Sequence, residues 1–569
     1  MTSESVEMNS MATTAKEQQK LTETVKMSNT DFSAMIEAPT TLEHLQQPKP
    51  MGFGFWMILI SLCLANFCTA LEMTCIFTAL PAITQAVGGE DFAWVNSAYA
   101  LASTALIPAG GGLADIFGRR GIIFTSYVLF ALGSALCGSA QNMTWLIAGR
   151  SIQGAGSGGI SALSWIILSD LVPLTERGKY NAMLGLTWAT AMTLGPLIAG
   201  GFVSSGHWRW VFYINLPLTG ISAPFLIIFL KLKSPKQTLR EKLLRIDWIG
   251  IGLIVASSAS VVLGLTWGGI KFGWSSFHVL VPLILGLVGL GVFAMYEFYL
   301  ATEPIMPITV LSNRTSISGY FQTFLNTLVL IMWSFSFPVY FQACFGSSAV
   351  RSGVLVLPTG AVTGISLVLG GVSVAITKKY RPQLFIGWAI TVLGCGVCST
   401  IKFDTATRTA TGLPTLIGIG CGCLLTTTVF SVLAPLPISE NAHAVSLFAF
   451  FRSFSGVWAI AISSAVLDNQ LSSRLPGDVL SLFPEGAAGV FFSIPIINGI
   501  PEPTRTVVRI AVAESLQVIW QVLIGISSMG FLACFLVKGV PLHTQVDKKW
   551  GLEDRERQTS PDVFVKEVS

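Results

Sequence analysis

Two charged residues stand inside apolar runs. Glu72 lies in Leu71-Glu-Met-Thr-Cys-Ile-Phe-Thr-Ala-Leu-Pro-Ala-Ile, and Arg150 in Leu146-Ile-Ala-Gly-Arg-Ser-Ile-Gln-Gly-Ala-Gly-Ser-Gly-Gly. An ionisable group in such a run usually faces a cavity or a partner. Asn66, Thr69 and Glu72 are spaced by three and share a helical face, and Gln153, Ser157, Ser161 and Ser164 follow Arg150 on approximately its own face. Desolvation favours a protonated carboxyl, whereas a nearby cation favours the carboxylate. A buried acid opposite a buried base can therefore trade a proton for an ion pair. At helical rise, Glu72 lies roughly 13 Å and Arg150 roughly 9 Å from the outer ends of their helices, similar depths. The plainer alternatives are a structural hydrogen-bonder for Glu72 and, for Arg150, an arginine snorkelling to the outer surface.

The elements that must hold these residues are membrane helices. The 569-residue chain is 52% hydrophobic and only 11% charged, against about a quarter charged in soluble domains. Its apolar residues come in blocks, and about 20 such residues span a bilayer. Only helices and closed barrels satisfy their backbone in lipid, and these blocks are too long for barrel strands. Fourteen spans are expected, near 54–80, 93–113, 121–140, 144–167, 182–203, 210–230, 248–268, 278–300, 319–344, 352–376, 383–401, 412–435, 442–466 and 517–538. The fold class is an all-α membrane protein. Basic residues orient it. With a cytoplasmic N-terminus, inner loops hold Arg119, Arg120, Arg177, Lys179, the cluster Lys231 to Arg245, Arg314, Lys378, Lys379 and Arg381. Short outer loops keep only Arg209, Lys271, Arg351, Lys402 and Arg408. Both termini are then cytoplasmic. Residues 1–50 are polar and read as a disordered tail rather than a signal peptide. A long outer loop is expected at 469–516, where the apolar stretch Val490–Ile497 is too short to cross.

Further polar or aromatic residues within spans are candidates for a substrate cavity: Asn66, Tyr99, Gln153, Gln322, Asn326, Trp333 and Arg452. Arg452 serves either a cavity or packing, and Glu297, near the inner end of its span, is read as snorkelling. The net charge of +4 implies no nucleic-acid partner. The cysteines, including Cys395-x-x-Cys398, read as small packing residues. There is no phosphate-cradling loop and no metal-ligand cluster, so no cofactor, metal or enzymatic centre is expected. The partners expected are protons, a small-molecule substrate and the lipid bilayer, and the chain is expected to be a monomer.

A compact charge cluster sits between the second and third spans, in Gly111-Gly-Leu-Ala-Asp-Ile-Phe-Gly-Arg-Arg-Gly. A tight interhelical turn needs glycine. This stretch resembles the G-x-L-a-D-r-x-G-r-k signature of the major facilitator superfamily at Gly111, Leu113, Asp115, Gly118, Arg119 and Arg120, with Ile116 replacing a basic residue. The resemblance implies that this loop latches the cytoplasmic ends of the two halves, a role falling on Gly111, Asp115, Gly118, Arg119 and Arg120. The region around Arg150 resembles the family's R-x-x-q-G-x-g motif, whose arginine is tied to proton transfer. Leu71 to Ile83 resembles the L-D-x-T-I-v-x-x-A-L-P-x-I motif of fourteen-span drug:proton antiporters, with Glu72 in place of Asp. Ala191-Met-Thr-Leu-Gly-Pro-Leu-Ile-Ala-Gly-Gly resembles the exporters' antiporter motif at Gly195, Pro196 and Gly200, with Ala191 and Ala199 replacing glycines. Trp208-Arg-Trp-Val-Phe-Tyr-Ile-Asn-Leu-Pro, Asp247-Trp-Ile-Gly and Pro338-Val-Tyr-Phe-Gln also resemble that family, although an interfacial anchor explains the first physically. Gly370-Gly-Val-Ser-Val-Ala-Ile-Thr-Lys-Lys reads as an acid-free echo of the first loop.

The resemblance implies two six-helix halves plus two inserted helices. The divisions expected are a 51–231 half, a 232–247 cytoplasmic connector, two inserted helices over 248–300, a 301–538 half and a 539–569 cytoplasmic tail. It implies proton-coupled efflux of small amphipathic organic molecules, as in fungal pumps for toxins and other secondary metabolites, from the cell membrane. The rival expectations are a carrier of basic amino acids or siderophores, in the vacuolar or plasma membrane, and a non-transporting membrane sensor.

Overall fold

The computed structural model describes residues 52–88, 93–230, 238–269, 271–302, 304–480, 497 and 499–542. Among them no strand forms, and long helices follow one another. These are α1 (Phe53–Val87), α2 (Ala93–Phe117), α3 (Arg119–Gly138), α4 (Met143–Leu171), α5 (Leu174–Ser204) and α6 (Trp210–Phe229, with a break at Ile214). Then come α7 (Trp248–Trp267), α8 (Phe277–Tyr299), α9 (Arg314–Phe345), α10 (Ala349–Thr377), α11 (Arg381–Cys398), α12 (Thr415–Leu433), α13 (Asn441–Arg474) and α14 (Thr504–Ala533). The chain falls into two compact units, residues 1–56 and 57–569; of the first, only 52–56 are described, and they open α1. The tails expected at 1–50 and, beyond Leu542, at 539–569 lie outside the described residues.

Thirteen of these helices are long and apolar enough to cross a membrane. The exception is α4, and its packing gives the reason. From Gly149 to Leu171 no residue of α4 is exposed. A methyl group on Gly154 would sit 2.4 Å from the Tyr99 carbonyl oxygen, and one on Gly158 2.4 Å from that of Ser103, both on α2. On the other side, one on Gly156 would meet the Phe130 nitrogen of α3 at 2.4 Å. Small residues thus let two neighbours close onto α4. A helix walled in by protein needs no greasy face, so its hydropathy is low. By contrast α8 exposes Ile284, Leu285, Val288, Val292 and Met295, the lipid-facing pattern.

Helix starts extend beyond the apolar runs because polar caps fix them. Asn142 Oδ1 accepts from Trp145 N at 2.8 Å to open α4, and Asn313 Oδ1 accepts from Thr315 N at 2.8 Å to open α9. The structure also corrects the expected 469–516 loop. Helix α13 continues to Arg474 and α14 begins at Thr504, so both ends of that stretch are helical. Their charged residues, Arg474, Arg505 and Arg509 among them, hid these turns from a hydropathy reading. Most of Val490–Ile497 lies outside the described residues.

Helix α2 packs on α4 and on α13, and α5 packs along α10. Helices α7 and α8 pair with each other, and α7 also touches α2. These contacts position the two charged clusters.

Candidate functional site: a buried ion pair and a helix-end charge cluster

Glu72 on α1 and Arg150 on α4 meet. Arg150 Nη1 donates to Glu72 Oε1 at 2.6 Å, and both side chains are completely inaccessible. The surroundings hold both groups in place. Arg150 Nη1 also donates to Gln153 Oε1 at 2.8 Å, and Arg150 Nε to the Val95 carbonyl at 2.8 Å. The Tyr99 ring lies 4.3 Å from the guanidinium carbon, a cation–π contact. Asn215 Nδ2 on α6 donates to Glu72 Oε2. Gln153 Nε2 donates to Ser134 Oγ at 2.8 Å, and Tyr99 OH to Ser157 Oγ at 2.6 Å. Arg150 does not snorkel. One of its nitrogens, Nη2, is buried without a partner.

This network changes the standing of several cavity candidates. Gln153 and Tyr99 are the inner lining of the ion pair. Asn66 is buried, and its Nδ2 donates to Leu62 O of its own helix at 2.9 Å, apart from Glu72. Gln322 is inaccessible and bonded within α9 and to α11: its Nε2 donates to Ser318 Oγ at 3.0 Å, and Trp388 Nε1 donates to its Oε1 at 3.0 Å. It is a packing node rather than a cavity wall. Asn326 Nδ2 reaches Cys421 O at 3.4 Å, and its Oδ1 has no partner. Trp333 is buried with its Nε1 unpartnered. Arg452 on α13 stacks over Trp165 and Trp188, its guanidinium carbon 5.7 and 5.4 Å from their centroids.

The second cluster forms at the ends of α2, α3, α4 and α13. Arg119 bonds Asp115 and, through Nε, Asp170 Oδ2 at 3.0 Å, with its own side chain only 1% exposed. Asp115 Oδ2 lies 3.2 Å from His443 Nε2 on α13, and His443 Nδ1 lies 2.9 Å from the Ile305 carbonyl oxygen. Each ring nitrogen of His443 thus faces an oxygen of a different element. Gly118 makes the turn between α2 and α3 at φ +92°, a conformation that glycine adopts freely. Gly111 is where α2 touches α13: a methyl group there would sit 2.8 Å from Ser446 Cβ. Arg120 is exposed. Beside the cluster opens a cavity of about 430 Å³, lined among others by Asp115, Arg245, Asp247, Glu440 and His443.

The echo motif falls at a matching crossing. A methyl on Gly178 of α5 would meet the Gly371 carbonyl oxygen of α10 at 2.6 Å. The small residues of the antiporter stretch serve a different neighbour: a methyl on Gly195 would meet Thr74 Oγ1 of α1 at 2.0 Å, and Cys75 Sγ donates to Gly195 O at 3.2 Å. Gly200 has only an ordinary contact, 3.6 Å to Val350. Helix α5 continues through Pro196, whose side chain lies outside the described residues.

Three residues escape a reading of the sequence, and a fourth, Glu297, misleads it. Asn215 sits in a string legible as an interfacial anchor; its one signal is an amide followed by apolar residues and proline. Asp170 and His443 lie at helix ends, where charge is ordinary, so nothing in their spacing marked them. Glu297 was read as snorkelling and does not: it is 3% exposed, its Oε2 accepts from Met306 N at 3.0 Å, and its Oε1 is unpartnered. All ten cysteines are free and none is exposed. Among the described residues no group of His, Cys, Asp or Glu could hold a metal ion.

Many apolar helices wrapped around a buried acid–base pair define a polytopic membrane protein. The chain belongs to the Major Facilitator Superfamily, whose family model matches residues 62–460. It is 37% identical over 517 residues to efflux pump FUS6 of Gibberella fujikuroi, covering 89% of this chain and 93% of that protein. It is 38% identical to the MFS-type efflux pump LUC4 of a Fusarium species, with 89% and 91% covered. It is 36% identical to the acurin A biosynthesis cluster MFS-type transporter of Aspergillus aculeatus, with 90% and 94% covered. Among solved structures it resembles the human organic anion transporter MFSD10 at a TM-score of 0.54 and 12% identity, covering 85% of this chain and all of that one. That likeness bears on the fold alone.

Proposed function

We propose that this chain exports small amphipathic organic molecules in exchange for protons by alternating access. The observation that carries the reading is the inaccessible Glu72–Arg150 pair. Protonation of Glu72 would cancel the charge that holds Arg150, and the two helices could then part. A buried pair of this kind costs several kcal/mol to desolvate, so it is a poor stabiliser and a reasonable switch. The names of the pumps from Gibberella and Fusarium support export as the direction.

In this reading α1–α6 and α9–α14 form two halves, with α7 and α8 inserted between them. Their polar sites meet near the midplane. The Asp115–Arg119–Asp170 cluster, bridged by His443, latches the cytoplasmic end, and Gly195, Pro196 and Gly200 shape the exporter's helix. Solute enters from the cytoplasm or the inner leaflet and leaves across the cell membrane, with both termini inside. The chain works as a monomer, with no cofactor and with the proton gradient as its energy source.

The test is export in cells lacking the wild-type gene and carrying either the intact chain or Glu72→Gln. Intracellular accumulation of the host's own low-molecular-weight metabolites is measured by mass spectrometry. Glu72→Gln should insert into the membrane normally yet accumulate metabolites like the null strain. Gradient-driven efflux unchanged by this substitution would rule Glu72 out as the coupling site.

A further inference from the structure

Arg452 belongs to neither charged cluster. Glu72 and Arg150 balance each other, and Arg119 is matched by Asp115 and Asp170. Arg452 has neither an ion-pair partner nor a hydrogen bond among the described residues. It is also central. Its neighbour Ser453 bonds Thr104 of α2 at 2.7 Å, and Ser455 donates to Phe324 O of α9 at 2.5 Å. Its guanidinium lies over Trp165 of α4 and Trp188 of α5. Arg452 thus sits where α2, α4, α5, α9 and α13 converge, and part of its surface is still accessible.

Two indoles of α9 and α13 also keep buried N–H groups unused. Trp333 Nε1 on α9 and Trp458 Nε1 on α13 are buried donors without acceptors. An indole nitrogen only donates, and a guanidinium only donates. An unneutralised cation within a membrane helix is expensive, and ring faces compensate it by only a few kcal/mol at most. The guanidinium of Arg452 is therefore without a neutralising negative charge among the described residues.

We infer that Arg452 anchors an organic anion. The transported solute carries a carboxylate or another ionised acidic oxygen beside an aromatic or conjugated plane. The oxygens take the paired N–H groups of Arg452, and the plane rests against Trp165 and Trp188. A cationic solute meets an unscreened like charge and is rejected. This deepens the transport reading and rests on it, and it narrows the amphipathic solute to an acidic one.

The test uses two dyes sharing the xanthene ring, anionic fluorescein and cationic rhodamine 6G. Their binding to the purified full-length chain is followed by fluorescence anisotropy at neutral pH. Fluorescein should bind at least about tenfold more tightly than rhodamine 6G. Arg452→Gln should abolish that preference, and Arg452→Lys, which keeps the charge without the planar fork, should retain part of it. Equal affinities, a preference for rhodamine 6G, no fluorescein binding, or unchanged fluorescein binding by Arg452→Gln would each overturn the inference. If Arg452→Gln fails to fold, the wild-type preference together with Arg452→Lys still decides. Anion preference without metabolite efflux would sink the transport reading and leave Arg452 as an anion-binding site only. Efflux without anion preference would do the reverse.

Discussion

Arg150 Nη1 is shared between Glu72 Oε1 at 2.6 Å and Gln153 Oε1 at 2.8 Å, so the cation is held by its own helix as well as by α1. Removing either charge strands the other in a site that water does not reach. Glu72→Gln and Arg150→Met should each destabilise the protein by about 3–5 kcal/mol, and the double variant by much less than their sum. Thermal unfolding of the purified protein measures the cycle, and strict additivity would show that the two side chains do not depend on each other.

Asn215 tests the same site from α6. It donates to the second carboxylate oxygen of Glu72. Asn215→Leu leaves that oxygen without its partner and should cost about 1–3 kcal/mol. It should also impair efflux at unchanged expression. Wild-type efflux by Asn215→Leu would mean that the α6 contact is incidental to coupling.

Gly118 turns the chain at φ +92°. Gly118→Ala forces a Cβ into that conformation, at about 1–2 kcal/mol. Its effect should appear as lower thermal stability together with weaker closure of the α2–α13 end. Gly121→Ala is the control, because nothing lies within 4 Å of its would-be Cβ.

His443 joins Asp115 to the Ile305 carbonyl. His443→Phe removes both polar contacts, and His443→Gln can restore one. Spin labels replacing the exposed Arg120 and Ser439, in a background without native cysteines, report the separation of α3 and α13. The distance distribution should broaden in the order wild type, His443→Gln, His443→Phe. Identical distributions would assign closure to the Gly111–Ser446 contact alone.

Gly178 and Gly371 touch backbone to backbone. Gly178→Val should jam the α5–α10 crossing and abolish efflux, whereas Gly353→Val on α10, where nothing lies within 4 Å, should be tolerated. Efflux surviving Gly178→Val would mean that this crossing need not close.

The helices were legible because lipid demands long apolar runs, and the pairing of Glu72 with Arg150 was legible because charge in such runs needs a partner. What escaped had contrary local signals. Helix α4 is legible as a span in the sequence, but its enclosure is not: its glycines let α2 and α3 close around it. The first turns of α5, α9 and α14 are polar, so hydropathy cut them off. Gln322 looks like a cavity residue in sequence, but whether a buried amide faces a void or a tryptophan is decided by a distant helix, here Trp388 on α11. The same holds for Asn215 and Asp170, whose partners lie 143 and 51 residues away in the chain.

The enclosure of α4 has one further consequence. Because protein rather than lipid surrounds Arg150 on every side, a thicker, thinner or more sterol-rich bilayer changes what α8 touches while leaving the dielectric around the guanidinium alone. The chemistry of this carrier is thereby insulated from the composition of whichever membrane hosts it.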